Sequence, residues 1–328
     1  MNTTISHDKH TIISYFCGCG GLDLGFRGGF IYRDTVYEYL PFKILAAYDF
    51  NKQCIETYNS YFKESNAYLV DLSVSKPEDM PACDVLIGGF PCQEFSACGP
   101  LGGLESERGQ LYKTMVRYMQ VHKPKLVVGE NVINIARMQK GKILKVIVND
   151  LENAGYNVQT WEMFAPNYGV PQRRRRLFFI CTRNDLLGSP IPPIAHFIDK
   201  PRSIEWAIGD LVNITDESVR NQSQYYNALP AKNGCGQGDE TCLRTMPSYT
   251  IRANPRARIQ FHYELNRRLT MRECARIQTF PDDFVFSHSM THTISQIGNA
   301  VPPILAHSIA KSINKYLSEL ENYTYDTI

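Results

Sequence analysis

Short apolar runs, each closed by a turn bearing glycine, proline or an acid, recur through the first half of this 328-residue chain with helix-like stretches between them. Residues 11–16 and 43–48 are apolar and β-prone, and residues 67–70, 84–87, 126–128 and 177–181 repeat the pattern. Residues 142–154 carry helical spacing and stop at Gly155. Strands alternating with helices predict an α/β fold: a mostly parallel sheet covered by helices on both faces. Such a sheet binds ligands beyond the carboxyl ends of its strands, so the turns after each run are where chemistry is expected.

The pattern changes after about Leu186. Residues 189–193 are proline-rich and read as a linker, and from there to about Pro281 the chain is rich in glycine, proline and arginine, with few long periodic helices. Residues 298–303 form a turn cluster, after which residues 304–320 return to helical periodicity. The expected division is 1–186 for the α/β domain, whose turns are candidates for cofactor binding and catalysis, 187–292 for a smaller loop-rich domain, and 293–328 for a segment returning to the first. A net charge of +2 does not by itself call for a polyanion, but eight arginines (244, 252, 256, 258, 267, 268, 272 and 276) face only Glu264 and Glu273 between residues 244 and 276. Such a stretch can neutralise phosphates, or can be a solvated face. None of the ten cysteines forms a C-x-x-C pair, no metal site is indicated, and no apolar run approaches the ~18 residues of a membrane span. A cytoplasmic protein with reduced thiols is expected.

Five turns carry candidate chemistry. In Phe16-Cys17-Gly18-Cys19-Gly20-Gly21 a strand runs through glycines into a helix, whose free N–H groups suit a bound ligand. Asp49, at the end of the next strand, can accept the hydroxyls of a ribose, Phe50 offers a face for an adenine, and Asp71 can accept from an adenine amino group. Each acid alone is more often a polar residue ending a strand. In Gly89-Phe90-Pro91-Cys92-Gln93 a cysteine sits in a loop after a buried strand, where its thiol, of pKa near ~8.5 when free, needs activation to act as a nucleophile. Gly129-Glu130-Asn131-Val132 places an acid on the same edge of the sheet. In Gln172-Arg173-Arg174-Arg175-Arg176, alternate arginines of an extended strand point together. The fifth turn is Gln296-Ile297-Gly298-Asn299-Ala300-Val301-Pro302-Pro303.

In this order, and together with Arg268-Leu269-Thr270 and Arg272-Glu273-Cys274-Ala275-Arg276, these motifs resemble those of the cytosine-C5 DNA methyltransferases across nearly the whole chain. The resemblance implies a Rossmann-like S-adenosylmethionine-dependent methyltransferase domain, with residues 187–292 as the target-recognition domain. It makes Cys92 the nucleophile, Glu130 the residue that holds cytosine N3 and the amino group, and Arg174 and Arg176 the pair beside them. It assigns Phe16, Gly18, Cys19, Gly21, Asp49, Phe50, Asp71, Leu72, Gly89, Pro91, Leu111, Asn299 and Ala300 to the cofactor. Ser96, Gln237, Thr250, Arg252, Arg256 and Arg258 fall to double-stranded DNA, with Gln237 filling the space of an extruded base. Two departures stand out: Asp49 replaces a common glutamate, and residues 31–42 look like an insertion.

The chemistry explains the residue types. Attack of a thiolate on C6 breaks the ring's aromaticity and places electron density on C5, which divides one hard step into easier ones. A protonated Glu130 would stabilise charge near N3, and Arg176 the O2 edge. The target lies inside a stacked duplex, so the base must be flipped out, at a cost of a few kcal/mol. The expected setting is restriction–modification, with the enzyme a monomer that makes no direct contact with a cognate endonuclease. Transfer RNA, the substrate of one branch of the family, and DNA binding without catalysis are the alternative readings.

Overall fold

The computed structural model describes residues 10–91, 110–222, 239–253 and 259–325. A seven-stranded sheet forms its centre, in the order β5-β4-β1-β6-β7-β9-β8. The strands are β1 (His10–Tyr15), β4 (Phe42–Asp49), β5 (Ala67–Leu69), β6 (Val85–Gly89), β7 (Leu126–Val132), β8 (Tyr156–Phe164) and β9 (Arg175–Arg183). All pairings among β5, β4, β1, β6 and β7 are parallel, whereas β9 runs antiparallel to both its neighbours. The predicted mostly parallel sheet is therefore correct.

The sequence reading missed two features. Strand β8, an edge strand, alternates polar and apolar residues and offers no continuous apolar run. Within the suspected insertion, β2 (Phe30–Tyr32) and β3 (Thr35–Tyr37) pair as an antiparallel hairpin.

The central strands are apolar on both faces because both faces are covered. Ile12, Ala47, Val85, Val128 and Phe178 belong to one buried cluster, and their neighbours Ile13, Ala46, Leu86, Val127 and Phe179 to another, the period-two signature of a two-sided sheet. Helices α1 (Gly21–Arg27), α2 (Lys52–Tyr61) and α8 (Pro303–Tyr325) pack residues into the first cluster. Helices α3 (Tyr112–His122) and α4 (Lys142–Asn153) pack into the second. Chain-terminal α8 thus lies against the glycine turn's own helix, and the contact between α8 and α1 is the largest among the helices.

The segment after residue 186 feeds the same core. Ile204, Ala207 and Ile208 of α5 (Ile204–Ile208) are buried with Cys274, Ala275 and Ile277 of α6 (Met271–Ile277) in the first cluster. Helix α6 begins at a capping box: the Thr270 hydroxyl accepts from Glu273 N at 3.0 Å, and Glu273 Oε2 accepts from Thr270 N at 2.7 Å. Arg267 clamps that glutamate at 2.8 and 2.7 Å. Helix α7 (Met290–Asn299) follows, so Gly298 and Asn299, read as part of a turn cluster, are helical, and the turn opens at Ala300. Among the described residues no helix is long and apolar enough to cross a membrane.

Candidate active site

Strand register brings the motif turns to one edge. Tyr15 lies opposite Tyr48 and Gly88, Asp49 opposite Leu69, and Gly89 opposite Glu130. The turns that follow β1, β4 and β6 therefore leave the sheet at the level of Glu130, as parallel strands require of a shared ligand site; Glu130, Asn131 and Val132, expected in a turn, are still paired strand residues of β7.

The first turn is built to expose backbone. Phe16, Gly18 and Gly20 all take positive φ, at 52°, 55° and 91°. Gly18 N donates to Asp49 Oδ2 at 2.9 Å, and Asp49 Oδ1 accepts from Asn51 N at 2.8 Å. Burial raises the Asp49 carboxyl above the usual range, and the backbone N–H groups of Asn51 and Gly18 counter that rise. The carboxylate expected to meet a ribose therefore also braces the glycine turn. Phe50 beside it is 68% exposed, an unusual state for a phenylalanine and the one a stacking role needs. Asp71 Oδ1 accepts from the hydroxyl and backbone N of Ser73, and these bonds hold its carboxyl below the usual range. Leu72 is buried, Leu111 precedes α3, and Asn299 is exposed with Ala300 half-buried beside it. Cys19 turns inward: its thiol points at Gln296 O, 3.8 Å away, and burial pushes it far up, so a cofactor contact there would run through its backbone. Gly21 is needed for close approach, since a Cβ there would stand 2.5 Å from Val301 O and 3.0 Å from Ala300 Cβ.

The second half of the site surrounds Glu130. Its Oε1 lies 2.7 Å from Arg176 Nε, and both side chains are largely buried. The neighbouring Asn131, which sequence reasoning gave no role, donates to Phe90 O at 3.2 Å and so holds the turn that leads through Pro91 to Cys92. Cys92 itself, with Ser96, Gln237, Arg256 and Arg258, lies outside the described residues.

Arg174 lies near Arg176 and Glu130, whose charges act on it, and has a bracing role that the sequence did not suggest. It is 1% exposed and donates to Gly298 O at 3.0 Å, Ala300 O at 2.9 Å and Ile251 O at 3.4 Å. Burial, aided by the nearby Arg176 charge, pushes its guanidinium well below the usual arginine range. The carbonyls at the C-terminal end of α7, the negative pole of the helix, supply the compensating charge. Arg174 is thus a strut joining the motif turn to the end of α7 and to residue 251. Thr250 and Arg252 flank this strut. The Thr250 hydroxyl donates to Arg173 O at 2.6 Å, and the half-exposed Arg252 lies 3.8 Å from Glu240.

The arginine-rich stretch also needs correcting as a single basic face. Arg267 pairs with Glu273, Arg268 with Asp239, and Arg272 is buried against the carbonyls of Arg220, Pro281 and Phe284. Arg276 bridges Asp210 and Asp282 at 2.6–2.8 Å. These four hold the segment together because a buried guanidinium is tolerated only when its donors are matched. Of the described arginines in the stretch, Arg244 and Arg252 alone are exposed.

Comparison with known proteins agrees with this geometry. Residues 10–233 and 211–315 match the family of C-5 cytosine-specific DNA methylases. The type II methyltransferase M.NgoFVII of Neisseria gonorrhoeae is 33% identical over 97% of this chain and 90% of its own length. M.FnuDI of Fusobacterium nucleatum is 32% identical, covering 94% and 96%. Among solved structures, the Dnmt2 methyltransferase of S. pombe shares the fold with a TM-score of 0.67 at 19% identity, over 95% of this chain and 99% of that one. The turns that converge on one edge of this sheet are those of an enzyme, and the chain belongs to the C-5 cytosine-specific DNA methylase family.

Proposed function

We propose that this DNA cytosine-C5 methyltransferase takes its methyl group from S-adenosylmethionine and modifies a cytosine flipped out of a short specific duplex sequence, through a transient bond between Cys92 Sγ and C6. The observation that carries the reading is the pairing of Glu130 with Arg176 at 2.7 Å, on the same sheet edge as the glycine turn and the Asp49–Phe50 pair. One acid and one guanidinium, partly buried and side by side, match the two polar edges of a pyrimidine.

The cofactor fits the residues present. The glycine turn approaches without side chains, Asp49 is a buried acceptor, and Phe50 presents an open ring. When bound, the cofactor supplies an electrophilic methyl group, and the protein's task is alignment. Phe16, Gly18 and the turn around Asn299 would hold it. Backbone at Gly89 and Pro91 would separate it from the base.

Cys92 as a thiolate adds to C6, and electron density moves to C5. Glu130 holds N3 and the amino group, Arg176 the O2 edge, each giving up its present partner to the base. Once C5 carries the methyl, its proton leaves to solvent and the electron pair re-forms the ring double bond. Cys92 departs as the thiolate.

Residues 187–292 serve in this reading as the target-recognition segment, with Thr250 and Arg252 towards the DNA. The enzyme works as a cytoplasmic monomer in a restriction–modification setting. Incubation of the purified chain with methyl-labelled S-adenosylmethionine and either duplex DNA or transfer RNA tests the substrate. Label in 5-methylcytosine of DNA, at one sequence located by bisulfite sequencing, is the expected result; label in RNA alone would overturn it.

A further inference from the structure

Two glutamines outside the reaction chemistry sit where the cofactor side of the cleft meets the recognition segment. Gln172 and Gln278 are both fully buried. Gln172 Nε2 donates to Gln278 Oε1 at 2.5 Å, and Gln172 Oε1 accepts from Ile251 N at 3.0 Å. Gln278 Nε2 donates to Ala300 O at 2.5 Å. Ala300 O also accepts from Arg174, so two side chains from different segments fix this one peptide. The result is an unbroken chain of hydrogen bonds from Ile251 through Gln172 and Gln278 to Ala300. Buried amides tolerate no loose end, so a shift at either terminus is felt at the other.

The backbone beside Gln278 is held just as tightly. Thr279 has φ +69°, a conformation that a β-branched residue adopts only under constraint. Its hydroxyl accepts from Ile304 N at 3.2 Å, tying the end of α6 to the start of α8 on the far side of the same turn. Strain of this kind persists where the surroundings over-determine a position.

We propose that Gln278 is a positioning residue that couples the two ligands of the enzyme: by linking Ala300, through Gln172, to Ile251, it makes cofactor and DNA each raise the other's affinity. The inference rests on the functional reading above, which puts the cofactor against residues 299–300 and DNA against residues 250–252. Linkage requires the effect to be reciprocal.

The test is the ratio of dissociation constants for a target duplex measured without and with saturating S-adenosylhomocysteine, on the full chain. The wild type should show a ratio of about 10 or more, within the usual span of such coupling. Gln278→Leu keeps the volume and removes both bonds, and should bring the ratio below about 3 while each binary affinity changes less than about threefold. Gln278→Glu keeps the acceptor for Gln172 and, when ionised, lacks the donor for Ala300. Its ratio should be low at pH 8 and recover as the pH falls and the acid regains a proton to donate. If Gln278→Leu fails to fold, the pH profile of Gln278→Glu carries the test. A merely structural residue would lower thermal stability and both binary affinities but leave the ratio and its pH dependence unchanged. That result, or a wild-type ratio near 1, overturns the inference. Failure of the wild type to bind S-adenosylhomocysteine at all would instead refute the functional reading, and the inference with it.

Discussion

Substituting Gly298 by alanine separates the site's geometry from the protein's stability. A Cβ at Gly298 would stand 2.4 Å from Ala253 N, 2.5 Å from Arg252 C and 2.7 Å from Ala253 Cα. Carbon contacts are comfortable only from about 3.5 Å, so the backbone at residues 252–253 must retreat by about 1 Å. All three obstacles are main-chain atoms, and no rotamer change relieves them. Overpacking of this kind costs about 1–3 kcal/mol, while alanine in place of glycine returns up to ~1 kcal/mol of helix propensity to α7. The net loss of stability is therefore about 0–3 kcal/mol, a fall in Tm of at most about 12 °C. Activity should suffer more. The displaced segment continues directly from Thr250 and Ile251, whose bonds to Arg173, Gln172 and Arg174 at 2.6, 3.0 and 3.4 Å cannot stretch by an ångström. A misplacement of that size costs on the order of 100-fold in rate, about 2.7 kcal/mol of transition-state stabilisation. Methyl transfer from labelled cofactor, alongside a thermal melt, reads both quantities. Wild-type kcat/KM in Gly298→Ala would refute the claim that the end of α7 sets the position of the recognition segment.

Three further outcomes follow from charged side chains, two of them buried and one exposed. Burial raises the Asp23 carboxyl to about 6, above its unfolded value, so the stability it contributes is fully present below its unfolded pKa and is lost as pH rises through about 6. Asp23→Asn, which can still accept from Tyr58, should therefore melt above the wild type at pH 8, with the difference vanishing towards pH 4; an equal difference at both pH values would contradict this. Within the arginine-rich stretch, Arg252→Ala should reduce the slope of log affinity for DNA against log salt by about 1, as loss of one phosphate contact does. Arg272→Ala should lower Tm and leave that slope unchanged, because Arg272 is spent on three internal carbonyls; a change in its slope would restore the stretch as a single DNA-facing surface.

The strands that end at chemistry were legible because each is buried on both faces and stops at a glycine, proline or acid; β1, β4, β6 and β7 fall within a few residues of their expected places. Strand β8 escaped because one face is exposed, and the β2–β3 hairpin because three residues carry no periodicity. The reversed direction of β9 leaves no mark in its composition. The places of Asp49, Phe50 and Glu130 at one edge of the sheet were legible because they depend only on the strand each one ends or follows. Side-chain roles were hidden where they depend on partners far along the chain. Arg174 finds Gly298 and Ala300 more than 120 positions away, and Arg276 finds Asp210 66 positions away, so neither set of contacts can be read in one dimension. Gln172 and Gln278 were hidden for the same reason, 106 residues apart and in contact.

The central claim is the bond between Cys92 and cytosine, and a suicide substrate tests it most directly. A target duplex with 5-fluorocytosine at the modified position lets the thiolate add and the methyl transfer proceed, but fluorine cannot leave C5 as a proton does, so elimination stalls. With S-adenosylmethionine present, the account predicts a denaturation-resistant protein–DNA adduct that maps by mass spectrometry to the peptide holding Cys92 and is absent in Cys92→Ser. An adduct on another residue, or undiminished methylation of cytosine by Cys92→Ser, would contradict it.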